Sequence, residues 1–194
     1  MSGLGAILLA AGRSSRFGDA NKLLADIDGR PMVRAVAETL FGANCIDEVL
    51  VVTGHDAGAV EIVLEDLPVR FVHNADWHDG MGGSIARGVA GLSASLDGVA
   101  IVPGDMPFLT VDLIKALGAK FKEQNGRLIV FPATPAGEQR NPVLWPRRFF
   151  GLLEGLSGAQ GAKRLLSELA ESCIAVLIHD ETALRDVDEI DDLS

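Results

Sequence analysis

The chain is expected to fold as an α/β protein on a mostly parallel sheet, and three observations say so. Short continuous apolar runs recur, each bounded by Gly, Pro or polar residues: residues 6–11 (AILLAA), 48–53 (EVLVVT), 98–102 (GVAIV), 128–131 and 173–178. Runs of this kind are strands buried on both faces. Between them lie stretches with helical apolar spacing, and strands alternating with helices build right-handed βαβ units. Composition agrees, because 48% hydrophobic residues with only 5% aromatics and no Tyr suit an Ala/Val/Leu-rich α/β core better than a β-sandwich. At 194 residues the chain suffices for one domain with a substantial core, and it shows no internal repeat, low-complexity segment or domain-splitting linker.

The first run ends at Gly12, and a polar loop follows it as far as Lys22. Residues 23–32 form a short hairpin turning at Asp28-Gly29, and Pro31 suits the first turn of the next helix. In that helix Val33, Val36, Ala37, Leu40 and Phe41 make one apolar stripe, closed by Gly42 and Asn44. After the strand at 48–53 a helix is expected over about 57–67, ended by Pro68, and then a short strand at 69–72. Residues 73–83 (HNADWHDGMGG) read as a loop, and Ser84 as the start of a helix with Ile85, Val89, Leu92 and Leu96 on one face. The strand at 98–102 runs into Pro103-Gly104-Asp105-Met106-Pro107. Thr110 suits the N-cap of a helix that turns Leu113, Ile114, Leu117 and Phe121 inward. A strand at 128–131, a loop at 133–139, a strand at 141–145, helices near 147–156 and 159–171, and a last strand at 173–178 complete the chain before an acidic tail.

Seventeen Lys and Arg against 27 Asp and Glu give a formal charge of −10. That disfavours general nucleic-acid binding, which rests on neutralising many phosphates. One small polyphosphate remains possible if cations cluster, and they do so at Arg13, Arg16 and Lys22. Cys45 and Cys173 lack metal-ligand spacing and are expected to be buried and reduced. Neither a leader pattern nor an apolar run of membrane length is visible, so a soluble, cytoplasmic protein is expected, with no membrane partner.

Loops leaving the carboxyl ends of parallel strands are where open α/β sheets bind ligands. The loop after residues 6–11 carries Arg13, Ser14, Ser15, Arg16 and Lys22, two glycines and one acid, Asp19. Backbone N–H groups, hydroxyls, guanidinium and ammonium together suit phosphate. It is not a P-loop, because five residues separate Gly12 from Gly18, and it is not a dinucleotide fingerprint, because Ser14 stands where a glycine is required. Asp105, directly after a buried strand, emerges on the same sheet edge. It fits either an Mg²⁺ ligand, since that ion is often held by one or two carboxylates plus substrate phosphates, or an ordinary turn aspartate. Gly80-Met81-Gly82-Gly83-Ser84 reads two ways as well: a close backbone approach to a planar ligand at a helix N-terminus, or a flexible loop with a capping serine. His55, His73, His78 and His179 have no ligand spacing, and no nucleophile elbow surrounds any serine.

Taken together and in order, LAAGRSSRFGDANKLL, GMGGSIARG, PGDMP and RNPVLW resemble the MobA-like nucleotidyltransferases, over most of the chain. The resemblance implies a single domain with a three-layer α/β/α, Rossmann-like nucleotidyltransferase fold. It places the backbone of Ala10, Ala11 and Gly12 beside base and ribose, and Arg13, Ser14, Arg16 and Lys22 on the triphosphate. It also places Asn74, Gly82, Gly83 and Ser84 on base and sugar, Asp105 on Mg²⁺, and Arg140, Asn141 and Pro142 toward the second substrate. Many relatives have Gly-His-Pro at that last position, so Asn141 is a departure. The tail Asp186-Val187-Asp188-Glu189-Ile190 lacks the Thr and Pro that relatives often carry. Asp186 or Asp188 is the candidate second metal ligand, and the tail's charges otherwise suit a solvated acidic helix. Guanylyl-transferring relatives typically carry LAGG, whereas Leu9-Ala10-Ala11-Gly12 resembles the cytidylyl branch acting on the molybdenum cofactor.

The expected activity is therefore transfer of CMP from CTP to the phosphate of molybdopterin, with pyrophosphate leaving. Catalytic work would fall to Arg16, Lys22 and Asp105, and a molybdenum hydroxylase or its chaperone is a possible partner. A phosphomonoester is largely ionised at neutral pH, so it needs no Ser/His/Asp apparatus, and alignment with charge neutralisation suffices. Alternatives are GTP-dependent transfer, cytidylyl transfer to methylerythritol phosphate or a sugar phosphate, and a non-catalytic nucleotide-binding chaperone.

Overall fold

The central strand β1 (Gly3–Ala10) is hydrogen-bonded on both sides by parallel neighbours, β4 (Glu48–Thr53) and β6 (Leu96–Pro103). A computed structural model describes residues 3–13, 21–159 and 161–187. The other strands are β2 (Asp26–Ile27), β3 (Arg30–Pro31), β5 (Arg70–His73), β7 (Ile129–Ala133), β8 (Val143–Pro146) and β9 (Cys173–Leu177). Seven strands form one sheet in the order β5-β4-β1-β6-β8-β7-β9. Pairing is parallel except at β8, which runs antiparallel to both β6 and β7. The expected hairpin is β2–β3, with Asp28 and Gly29 both at positive φ, the geometry of a two-residue hairpin turn.

Helices α1 (Met32–Gly42), α2 (Ala57–Ile62) and α4 (Val111–Glu123) cover one face of the sheet. Val33, Val36, Ala37 and Leu40 of α1 and Leu113, Ile114, Leu117 and Phe121 of α4 pack there on Ala6, Leu8, Val51 and Val102. Helices α3 (Met81–Ala90), α5 (Phe150–Glu154) and α6 (Lys163–Glu168) cover the other face, over Ile7, Val52, Ile101, Val143 and Trp145. The result is the three-layer α/β/α architecture. Alternation along β1, with Ile7 facing one layer and Leu8 the other, is the signature of a strand buried on both sides. Gly88 lets α3 lie close, because a Cβ there would stand 2.8 Å from Ile7 and 3.0 Å from Val52.

Several elements differ from the sequence expectation, α2 ending at Ile62 and α6 spanning only Lys163–Glu168. Helix α3 starts at Met81, so Gly82 and Gly83 lie in its first turn and Ser84 is not its cap. Leu96 belongs to β6, because α3 ends at Ala90. In residues 181–187 a 3₁₀ turn (Glu181–Leu184) buries Ala183 and Leu184, and Val187 packs against Met32, so Val187 is not part of a solvated face; the rest of the expected acidic helix lies outside the described residues. Charges at Glu181 and Asp186 stay exposed, while the interspersed apolar residues anchor the segment. Among the described residues no helix is long and apolar enough to cross a membrane.

Candidate nucleotide and acceptor site

The order of strands reverses at β1: the chain goes outward through β4 and β5, then returns to β6 on the other side. Such a switch point opens a crevice at the strands' carboxyl ends. Ala10 and Ala11 are buried at this edge, while Gly12 and Arg13 are exposed, and a Cβ on Gly12 would meet nothing within 4 Å. Gly104 brings the Pro103–Pro107 turn against β1, its N–H donating to the Leu9 carbonyl at 3.0 Å; an added Cβ there would lie 2.8 Å from that oxygen. Asp105 therefore emerges directly beside the loop that follows β1.

Lys22 joins the two loops. Its Nζ donates to Asp105 Oδ2 at 2.7 Å and to the Val187 carbonyl at 2.9 Å, and Val187 N–H donates to the Asp105 carbonyl at 2.9 Å. Three segments far apart in sequence thus meet on one ammonium group, whose side chain is 16% exposed. Asn21 holds the backbone in place, its Oδ1 accepting from Leu23 N–H and capping the 3₁₀ turn Lys22–Leu24. The burial of Val187, which the sequence reading missed, sets Asp186 beside the residue whose carbonyl bonds Lys22, and Asp186 lines the cleft described below. Ser14, Arg16 and Asp188 lie outside the described residues.

Asn74 and Ser84 are both buried and bonded to each other, Asn74 Nδ2 donating to Ser84 Oγ at 3.0 Å. Asn74 Oδ1 also accepts from Asp76 N–H, so the pair fixes the turn after β5 onto α3. Gly80, at φ +117°, and Gly82 pack on residues 157–159: a Cβ on Gly82 would lie 2.8 Å from the Ser157 backbone, and its N–H donates to Gly158. Their small size serves this internal docking. Gly83 is different, since a Cβ there would meet only Asn74, at 3.8 Å. Two residues not assigned roles from sequence border Ala11. His55 N–H donates to its carbonyl, and Trp77, whose ring centroid is 5.0 Å from that of His55, packs on the same corner.

On the far side of Pro103 a cleft of about 750 Å³ opens. Leu9, Ile85, Ile101, Val143 and Trp145 form apolar wall, and Arg140, Asn141 and Asp186 bring polar groups to it. Arg140 is half-exposed and paired with Glu138, and Pro142 is buried beyond a cis Asn141–Pro142 peptide bond. The cleft touches both the Pro103–Asp105 turn and the segment ending in Val187, so it adjoins the polar edge. Among the described residues no three His, Cys, Asp or Glu converge as a preformed metal cage. Asp105 offers a single carboxylate, the kind of donor that suits a hard cation retaining water and sharing phosphate oxygens.

With this geometry in hand, the comparisons with known proteins are specific. The MobA-like NTP transferase domain family matches residues 6–173. The chain belongs to this family. A probable molybdenum cofactor guanylyltransferase of Haloferax mediterranei is 31% identical over 69% of this chain and 62% of its own length. The nicotine blue oxidoreductase of Paenarthrobacter nicotinovorans is 36% identical over 57% of this chain and 53% of its own length. The chain thus spans about half to three-fifths of these curated relatives. Among solved structures, a nucleotidyl transferase from Methanothermobacter superposes with a TM-score of 0.83 at 23% identity, covering 97% of this chain and 93% of its own. The Mycobacterium tuberculosis protein Rv0371c gives 0.84 at 21%, covering 98% and 95%. Both likenesses show the fold, and the family match places the chain among the MobA-like NTP transferase domains.

Proposed function

We propose that this MobA-like transferase moves CMP from CTP to the terminal phosphate of molybdopterin, releasing pyrophosphate. The observation that carries this reading is the meeting of Lys22, Asp105 and the exposed Gly12–Arg13 backbone at the β1/β6 switch point, beside a cleft large enough for a second substrate. The Ala10-Ala11-Gly12 form of the first turn supports cytidine over guanosine by its likeness to the cytidylyl branch.

In this scheme Gly12 and Gly83 give the nucleotide close access to backbone. Arg13, Ser14, Arg16 and Lys22 hold the triphosphate, and Asn74, Gly82 and Ser84 shape the wall beside base and sugar. Arg140, Asn141 and Pro142 orient the acceptor so that a phosphate oxygen, already ionised, lines up with the α-phosphorus opposite the departing pyrophosphate. Lys22 takes up charge on the leaving group. Asp105, with Asp186 or Asp188, would hold Mg²⁺, which when bound neutralises phosphate charge; a manganese complex of Rv0371c supports a divalent-ion site in this fold. To engage the ion Asp105 must share or release its bond to Lys22, which frees the ammonium group for phosphate.

The test is pyrophosphate release by purified protein with Mg²⁺, molybdopterin and each NTP in turn. Release with CTP far above the other nucleotides is expected. Preference for GTP would move the reading to guanylyl transfer. Nucleotide binding without release, for molybdopterin, methylerythritol phosphate and sugar phosphates alike, would replace it with a non-catalytic role.

A further inference from the structure

Trp145 lies on β8 with no solvent exposure, edge-on to Phe149 with ring centroids 6.3 Å apart, and forms part of the wall of the acceptor cleft. Among the described residues its indole Nε1–H has no hydrogen-bond partner. A buried donor left unpaired costs about 1–3 kcal/mol, and buried indoles ordinarily find an acceptor. Packing alone does not call for that N–H, since the neighbouring wall of Leu9, Ile85, Ile101 and Val143 is apolar and a phenylalanine would offer it a ring with no donor to satisfy. An indole can only donate. The feature therefore selects a ligand that brings an acceptor atom to this apolar part of the wall.

We propose that Trp145 is the residue that recognises the acceptor's ring system. Its Nε1–H donates to a ring nitrogen or carbonyl oxygen of a planar heterocycle whose phosphomonoester reaches past Arg140 and Asn141 toward the nucleotide. This rests on the reading of the cleft as the acceptor site. The part of the cleft beside the indole is walled by Leu9, Ile85, Ile101 and Val143, and a flat ring with one acceptor atom matches that apolar corner; Gln139, Lys163, Glu181, Thr182 and Arg185 make the rest of the lining polar. Nε1 is closed off from solvent, so a ring that reaches it shifts side chains of the lining as it seats.

The chain has two tryptophans, so ¹⁵N-labelled protein gives two indole resonances, and Trp145→Phe assigns the one that disappears. Molybdopterin should move the Trp145 indole proton downfield and slow its exchange with solvent. Inorganic phosphate and glucose 1-phosphate should leave it unchanged. Trp145→Phe should raise the acceptor KM about tenfold, a change of the size of one lost hydrogen bond, with the CTP KM little altered. A Trp145 resonance indifferent to saturating molybdopterin, or an unchanged acceptor KM in the folded variant, would overturn the assignment. Should the variant not fold, the wild-type spectrum decides alone. Should the wild type not bind molybdopterin, the functional reading falls first, and free pterin and guanosine 5′-monophosphate become the probes. A downfield shift with either retains the role of Trp145, and no shift with any of the three ends it.

Discussion

Lys22 is bonded to a carboxylate from one loop and a carbonyl from another, with most of its side chain covered. A charge held this way is costly to place without a task, because each partner must be kept in geometry. The account gives it one in phosphate binding. Lys22→Ala should lower kcat/KM for CTP by about a hundredfold, the order seen when one transition-state donor is removed. Asp105→Ala should abolish metal-dependent turnover while leaving the circular dichroism spectrum unchanged. Lys22 and Asp105 were both legible in the sequence as residues of one sheet edge, because each directly follows a buried strand or its loop. Their mutual bond was not, because a contact across 83 residues depends on strand order. Nor was the indole of Trp145 legible as a polar group in the cleft, since an apolar strand with an aromatic reads as core.

Among the elements, α3 differs most from what its sequence suggests. Three glycines beside a serine read as an open loop, yet the helix begins at Met81 and two of those glycines accept the backbone of residues 157–159. Gly82→Ala should therefore cost about 1–3 kcal/mol by overpacking on Ser157, measured by urea unfolding. Gly83→Ala, with open space around it, should be neutral or stabilising by roughly 0.5–1 kcal/mol, the helix-propensity gain. Equal losses at both sites would contradict the docking described. On the opposite layer, Arg34 of α1 holds the turn after α2 through two bonds to Asp66, at 2.6 and 2.8 Å, and one to the Val63 carbonyl. The Asp66 carboxyl is held below its ordinary pKa, first by that hydrogen bond to Arg34. Its stabilising contribution is complete above the unfolded-state value and is lost as pH falls through the lowered folded value. Asp66→Asn should thus lower the unfolding temperature slightly at pH 7, and the difference should shrink as pH falls below the ordinary carboxylate range.

At the scale of the whole molecule, local pattern was enough for a mostly parallel α/β sheet, because strands buried on both faces and amphipathic helices announce themselves within ten residues, while the three layers followed from the family resemblance. The antiparallel direction of β8 was hidden, since an apolar run looks the same read either way. The docking of residues 181–187 was hidden too, because Ala183, Leu184 and Val187 follow no period and find partners such as Met32 far away in sequence. That docking lines one end of the cleft and delivers the Val187 carbonyl to Lys22. The molecule is thus organised so that one edge of a sheet, one cleft and one returning segment meet at the site proposed for the nucleotide. The most direct test is to follow label from CTP into molybdopterin in the presence of Mg²⁺. Label from [α-³²P]CTP should appear in the acceptor in step with pyrophosphate, and label from [γ-³²P]CTP should remain in pyrophosphate. Transfer of the γ label, or no transfer of either, would contradict nucleotidyl transfer at this site.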